Sequence, residues 1–351
     1  MSAARSRSVS VPVAVASLLL VAGMLSGCTG ADADDAIAPP SGSASPSESP
    51  RPTPSASPTP PAPVSPVAGG CPALAASDAV VAASGGVQRV TTLDQMWHIA
   101  IETEGGLACS LLTSRLAVDA YLLPTSLATG RIAALLAAPT CDRGAGSMEC
   151  HASAPGAGQT ALVAASFPTS VDDATALGEL GGIAAAVAAS ATEGTPAPTR
   201  ATTWSHPLDC RAIGETIGVT SLLGSDEART ALGAPPAATV DGELAIASST
   251  TARCDWTRTP TQKGDRGSEF SVISVPGGAW AWKTLAASVS DAVDTMVGGH
   301  PARVTSRGEV YLSDGVNILH LQGQRLAGVS VVDTALGVLS VIAKKDAGSR
   351  G

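Results

Sequence analysis

The sequence predicts an α+β fold: two related, disulfide-linked domains, each a mostly antiparallel sheet with covering helices. Three observations carry that expectation. Strand-like alternation and helix-like periodicity recur in the same order over 71–190 and 207–346. Cysteines mark matching places, Cys71 and Cys109 in the first half, Cys210 and Cys254 in the second. Proline-rich segments precede each half, as linkers do.

The first such segment, 28–70, reads as a disordered stalk. It holds eleven prolines from Pro39 to Pro66, mixed with Ser, Thr, Ala and Gly. With almost no bulky apolar side chains, it has nothing to offset its ordering entropy. Prolines at this density favour extended polyproline-II stretches of about 3.1 Å per residue, which makes the segment a spacer. Stalks of this composition are also O-glycosylation substrates, a point the sequence leaves open. A shorter linker is expected over 191–206, around Thr195-Pro196-Ala197-Pro198, and a disordered tail over 347–351.

Within the halves the elements run in parallel. Cys71-Pro-Ala-Leu74 and Cys210-Arg-Ala-Ile213 each open a short helical pattern. Ile99-Ala100-Ile101 and Leu244-Ala245-Ile246 each precede a cysteine at the same spacing. Leu116–Pro124 and Phe270–Pro276 alternate, end in proline and lead into helix-like segments, Ser126–Ala137 and Gly278–Ser288. Paired strands follow, Glu149–Ser153 with Thr160–Phe167, and Asn317–Leu321 with Arg325–Val332. Ala- or Leu-rich helices, Val171–Ala189 and Asp333–Lys344, close the halves.

This repeat predicts bridges Cys71–Cys109 and Cys210–Cys254, each tying an opening helix to a central strand. Cys141 and Cys150 have no counterpart in the second half. They flank a turn, Asp142-Arg143-Gly144-Ala145-Gly146, and are paired with each other. Closing the two long loops stabilises by about 4 kcal/mol per bridge. The core needs that support, because the chain has only five Trp, two Tyr and two Phe, and much of its apolar content is Ala. Trp97 and Trp256 fall in strand patterns and are expected to pack against the bridges.

The chemistry-bearing residues form no recognisable constellation. There is no G-x-S-x-G elbow, no H-E-x-x-H, no phosphate-binding glycine loop, and none of Lys263, Lys283, Lys344 or Lys345 follows a serine by three positions. The histidines His98, His151, His206, His300 and His320 are scattered, with His98 and His320 in strand patterns. Cys141, Asp142, Glu149, Cys150 and His151 are the densest group of metal-ligating types. Their spacing is not one that zinc sites use, so the disulfide reading is preferred. No catalytic residue, cofactor or metal is assigned. Trp280 and Trp282 follow a Pro276-Gly277-Gly278 turn and offer a ligand surface. Packing of Trp282 with Leu285 in the core is the competing reading.

At the N-terminus, Arg5 and Arg7 precede an apolar run from Val9 to Leu25, interrupted by Pro12 and ending in Leu25-Ser26-Gly27-Cys28. The pattern resembles a bacterial lipoprotein signal peptide with a type II lipobox. The resemblance implies removal of 1–27, a diacylglycerol on the Cys28 sulfur, and a further acyl chain such as palmitate on its amine. Each buried methylene contributes about 0.8 kcal/mol, so two or three chains anchor durably where one does not. With its Ala, Gly and Pro bias and acidic charge, the chain resembles an actinobacterial membrane lipoprotein. Its Cys-x-x-Leu/Ile openings and Cys254-Asp255-Trp256 resemble exported lipoprotein domains of unknown function. Cys109-Ser110-Leu111 departs from that pattern.

The chain carries 21 basic and 30 acidic residues, net −9, which weighs against nucleic-acid partners. The expected function is therefore a cell-surface lipoprotein on the extracytoplasmic face of the cell membrane. It would be a non-enzymatic binding or interaction module for a cell-wall component or an envelope protein. A carrier of small or lipidic ligands would instead need a deep apolar pocket, and a hydrolase without a recognisable motif would need a polar cleft with convergent acids.

Overall fold

The structure, a computed structural model, describes residues 60–92, 96–128, 130–144, 146–200, 202–204, 208–223, 229–231, 252–258, 268–324 and 330–349. In the first half, helices α1 (Gly70–Ala76) and α2 (Asp78–Ser84) lead into β1 (Val87–Thr92), α3 (Met96–Thr103), β2 (Leu107–Thr113) and β3 (Ala117–Pro124). Then come α4 (Gly130–Ala137), β4 (Thr140–Arg143), β5 (Met148–Pro155), β6 (Gln159–Phe167) and α5 (Asp173–Ala189). In the second half, α6 (Cys210–Ile217) and α7 (Val219–Leu223) precede β7 (Arg229–Ala231), β8 (Ala252–Arg258) and β9 (Ser268–Val275). A 3-10 turn, Gly278–Ala281, runs into α8 (Trp282–Ser288), followed by β10 (Ala292–Val297), β11 (His300–Thr305), β12 (Val310–Ser313), β13 (Ile318–Gln324) and α9 (Val331–Ser349).

The two antiparallel sheets have the same topology. Their strand orders are β1-β2-β3-β6-β5-β4 and β7-β8-β9-β13-β12-β11-β10, so β8 stands where β2 does, β9 for β3, β13 for β6 and β12 for β5. Strand β10 is an additional edge. The expected strand pairing in the second half is thereby displaced by one: Asn317–Leu321 corresponds to β6, and its hairpin partner is β12. At four residues, β12 is too short for its alternation to be read. Val331 and Val332 begin α9, while 325–329 and Leu244-Ala245-Ile246 lie outside the described residues.

One face of each sheet, the inner face, is covered by its flanking helices. Asp172 caps α5 by accepting from the Thr175 N–H at 2.9 Å. Ala176, Leu180, Ile183, Ala184 and Val187 then form one buried stripe on the first sheet. On the second, Ala335, Val338 and Ile342 of α9 share a core with Trp256 and Phe270, whose rings stack at 5.7 Å. Gly214 lets α6 sit tightly on that indole, since a Cβ there would lie 3.1 Å from Trp256 Nε1. The bridges are Cys71–Cys109, Cys210–Cys254 and Cys141–Cys150, the last joining directly opposed residues of β4 and β5. Trp256 shares its core with the Cys210–Cys254 bridge.

Three further expectations change. Trp97 and His98 lie in α3, a helix, not a strand. Met96, Ile99 and Ala100 of α3 face the second half, packed with Ile273, Val275 and Ile318, whereas Ile101 packs with Tyr121 and Leu162 of the first sheet. A helix buried on two sides reads as a continuous apolar run, which periodicity does not separate from a strand. The end of the expected stalk is folded: Val64 pairs with Thr195, and Pro66 O accepts from the Thr192 N–H at 2.8 Å. The linker around Thr195 therefore runs as a strap across the first half, and its close approach requires glycine. A Cβ on Gly194 would lie 1.9 Å from Gly105 O. Finally, α9 continues through Ser349, past the expected start of the tail.

The strap is tied into the second half by Asn317, which is fully buried. Its Oδ1 accepts from the Trp204 and Gly277 N–H groups, both at 3.1 Å, and its Nδ2 donates to Thr202 O and Asp314 Oδ2. Among the described residues, no helix is long and apolar enough to cross a membrane.

Candidate functional site

The equivalence of the sheets allows their outer faces to be compared residue by residue. Aligning Cys109 with Cys254, one cross-strand row in the first sheet reads Ala108, Tyr121, Leu162, Ser153. The same row in the second reads Arg253, Ile273, His320, Tyr311. The next row changes from Ser110, Asp119, Ala164, His151 to Asp255, Ser271 and Gln322, with Glu309 at the end of β12.

On the first sheet this face is closed by α4. Ile132 and Leu127 are buried against Tyr121 and Leu162. The last carbonyls of α4, which have no partner within the helix, are taken up by the sheet. Ser153 Oγ donates to Leu136 O at 2.7 Å, and His151 Nε2 lies 3.2 Å from Leu135 O. At the two positions that clamp the helix, the second sheet carries Tyr311 and Glu309. There α8 packs instead with α3 at the seam, through Leu285 beside Met96. The rest of the outer face is left as a groove of about 520 Å³.

The groove floor is polar. Arg253 Nε donates to both carboxylate oxygens of Asp255, at 2.9 and 2.8 Å, so that ion pair holds itself flat on the sheet. The Tyr311 and His320 rings stack at 4.1 Å, 11° from parallel. His320 is 7% exposed, and its Nε2 has no hydrogen-bond partner among the described residues. Burial, and secondarily the Arg253 charge, lower its pKa to about 4, so the imidazole is neutral at physiological pH. The walls add Asp291, Arg307 and Glu309, along with Met96 from the other half. Asp291 accepts from Ser306 Oγ at 2.8 Å, and Tyr311 Oη approaches Glu309 Oε2 at 3.4 Å.

The residues singled out in the sequence are placed as follows. Cys28 and His206 lie outside the described residues. Cys141 and Cys150 are bonded to each other, and His151 is committed to α4, so the five-residue group there is a structural hairpin. Trp280 and Trp282 are half-buried against the seam, and Trp280 Nε1 donates to Thr103 Oγ1 across it at 3.0 Å. Of the histidines, His320 lines the groove; His98 is buried and stacked on Tyr121. No motif in the sequence marks Arg253, Tyr311 or Glu309. The one local signal for them is that Cys254 is flanked by Arg253 and Asp255, where Cys109 is flanked by Ala108 and Ser110. No family model, curated protein or solved structure matches the chain.

Proposed function

We propose that the protein is a binding lipoprotein. Cys28 anchors it to the extracytoplasmic face of the membrane, and the outer groove of its second sheet is the recognition surface for a small, neutral, polar ligand such as a sugar unit of the cell wall. The observation that carries this reading is the exchange of Ala108, Leu162 and Ser153 for Arg253, His320 and Tyr311 on otherwise equivalent strands. A buried imidazole nitrogen without a protein partner costs stability unless a ligand or water satisfies it, and His320 Nε2 offers a ligand that contact. With Arg253 paired to Asp255, Arg307 faces Asp291 and Glu309 around the groove, which favours a neutral ligand over an anion. The polar lining weighs against a lipidic cargo. The two carboxylates that line the groove, Asp291 and Glu309, each meet a hydroxyl, of Ser306 and Tyr311.

The test is ligand-observed NMR with neutral mono- and disaccharides against the wild type and His320→Leu, which restores the first half's residue at that position. Binding that the variant loses supports the reading. No binding by the wild type, or equal binding by both, overturns it.

A further inference from the structure

We infer that a second, smaller cavity, beside the Cys71–Cys109 bridge, binds a small organic cation, an alkylammonium group held between the Glu102 carboxylate and the indole of Trp280. The cavity measures about 240 Å³. Its walls are mainly apolar, with Pro63, Pro72 and Leu107 beside Trp280. Glu102 is the one ionisable side chain among the described residues that line it. A carboxylate in such a setting is costly unless a cation meets it. Glu102 makes no ion pair among the described residues. Burial pushes its pKa up to about 7 against the opposing hydrogen bond from the Ala108 N–H.

The aromatic wall has its own support. Trp280 Nε1 donates to Thr103 Oγ1, and that hydroxyl donates in turn to Ile99 O at 2.7 Å, which fixes the indole at the cavity. An indole face is the strongest side-chain partner for an alkylammonium ion. Glu102 comes from α3 of the first half and Trp280 from the second, so the site exists only when the seam is closed. The chain's net charge of −9 raises the local concentration of cations. Glu104, in the turn just after that helix and also raised in pKa by burial, does not line the cavity.

Calorimetric titration of the full chain with tetramethylammonium chloride, against sodium chloride at matched ionic strength, tests the assignment. Saturable binding is expected near pH 8, weakened at least about tenfold in Glu102→Gln, and weakened on going to about pH 6 as Glu102 takes up a proton. A melting curve establishes that the variant is folded; should it not fold, the pH arm on the wild type decides. Absence of saturable binding, affinity unchanged in Glu102→Gln, or affinity unchanged with pH overturns the proposal. None of these outcomes bears on the groove of the second sheet.

Discussion

The outer faces of the two sheets start from one topology and reach opposite ends. In the first half, small and apolar residues at Ala108 and Leu162 accept a helix, and His151 and Ser153 lock that helix down by its C-terminal carbonyls. In the second, the matching positions carry Arg253, His320, Glu309 and Tyr311, the helix turns to the seam, and a polar groove is left. A duplicated fold keeps its inner faces and bridges for stability, while one outer face is released from packing. On the released face a buried imidazole nitrogen, His320 Nε2, has no hydrogen-bond partner among the described residues.

The comparison depends on the frame that holds both faces, and the largest expected effect comes from breaking it. Gly194→Ala forces the strap off Gly105, against whose carbonyl a Cβ would lie 1.9 Å away. The expected loss is more than about 3 kcal/mol, read from denaturant midpoints, with Gly178→Ala as a control in open space.

Acid separates the halves next. His320 has a folded pKa of about 4 against 6.5 for the free side chain, so the unfolded chain binds a proton first. Its contribution is intact above pH 6.5 and is lost as pH falls toward 4, a change of about 3 kcal/mol. His320→Leu, the first half's solution, removes that acid limb. Glu102 works in the other direction: with a folded pKa of about 7 against 4.5, its contribution is intact below 4.5 and is lost as pH rises toward 7. Melting temperatures across this range for the wild type, His320→Leu and Glu102→Gln resolve the two. A wild type whose acid limb survives in His320→Leu contradicts the assignment.

A smaller effect is expected from opening the first face. His151→Ala with Ser153→Ala unclamps α4 at a cost of about 2 kcal/mol. Faster amide exchange should be confined to α4, with the second half unchanged. The smallest is His320→Leu near neutral pH, where removing an unsatisfied buried nitrogen leaves stability within about 1 kcal/mol of the wild type.

What the sequence made legible follows from how local each signal is. Two bridges could be read because cysteines recur at matching places in a repeat, the third because Cys141 and Cys150 flank a short turn, and strands such as Leu116–Pro124 alternate visibly. Helix α3 reads as a strand in the sequence because Ile99, Ala100 and Ile101 serve two faces at once, which erases the helical period. The second half's strand pairing slipped because β12 spans four residues. The groove was legible only in part. Arg253 flanks a core cysteine, yet its meeting with His320, Tyr311 and Met96 is a product of sheet order and of a helix from the other half. No spacing in the sequence encodes that meeting.

The central claim is that recognition uses the outer face of the second sheet and not its counterpart on the first. Amide chemical-shift mapping with a neutral disaccharide tests it most directly. The expected result is saturable shifts at Arg253, Ile273, His320 and Tyr311, with Ala108, Tyr121, Leu162 and Ser153 unmoved. Shifts at the first set of four absent, or appearing instead on the first sheet, would contradict the account.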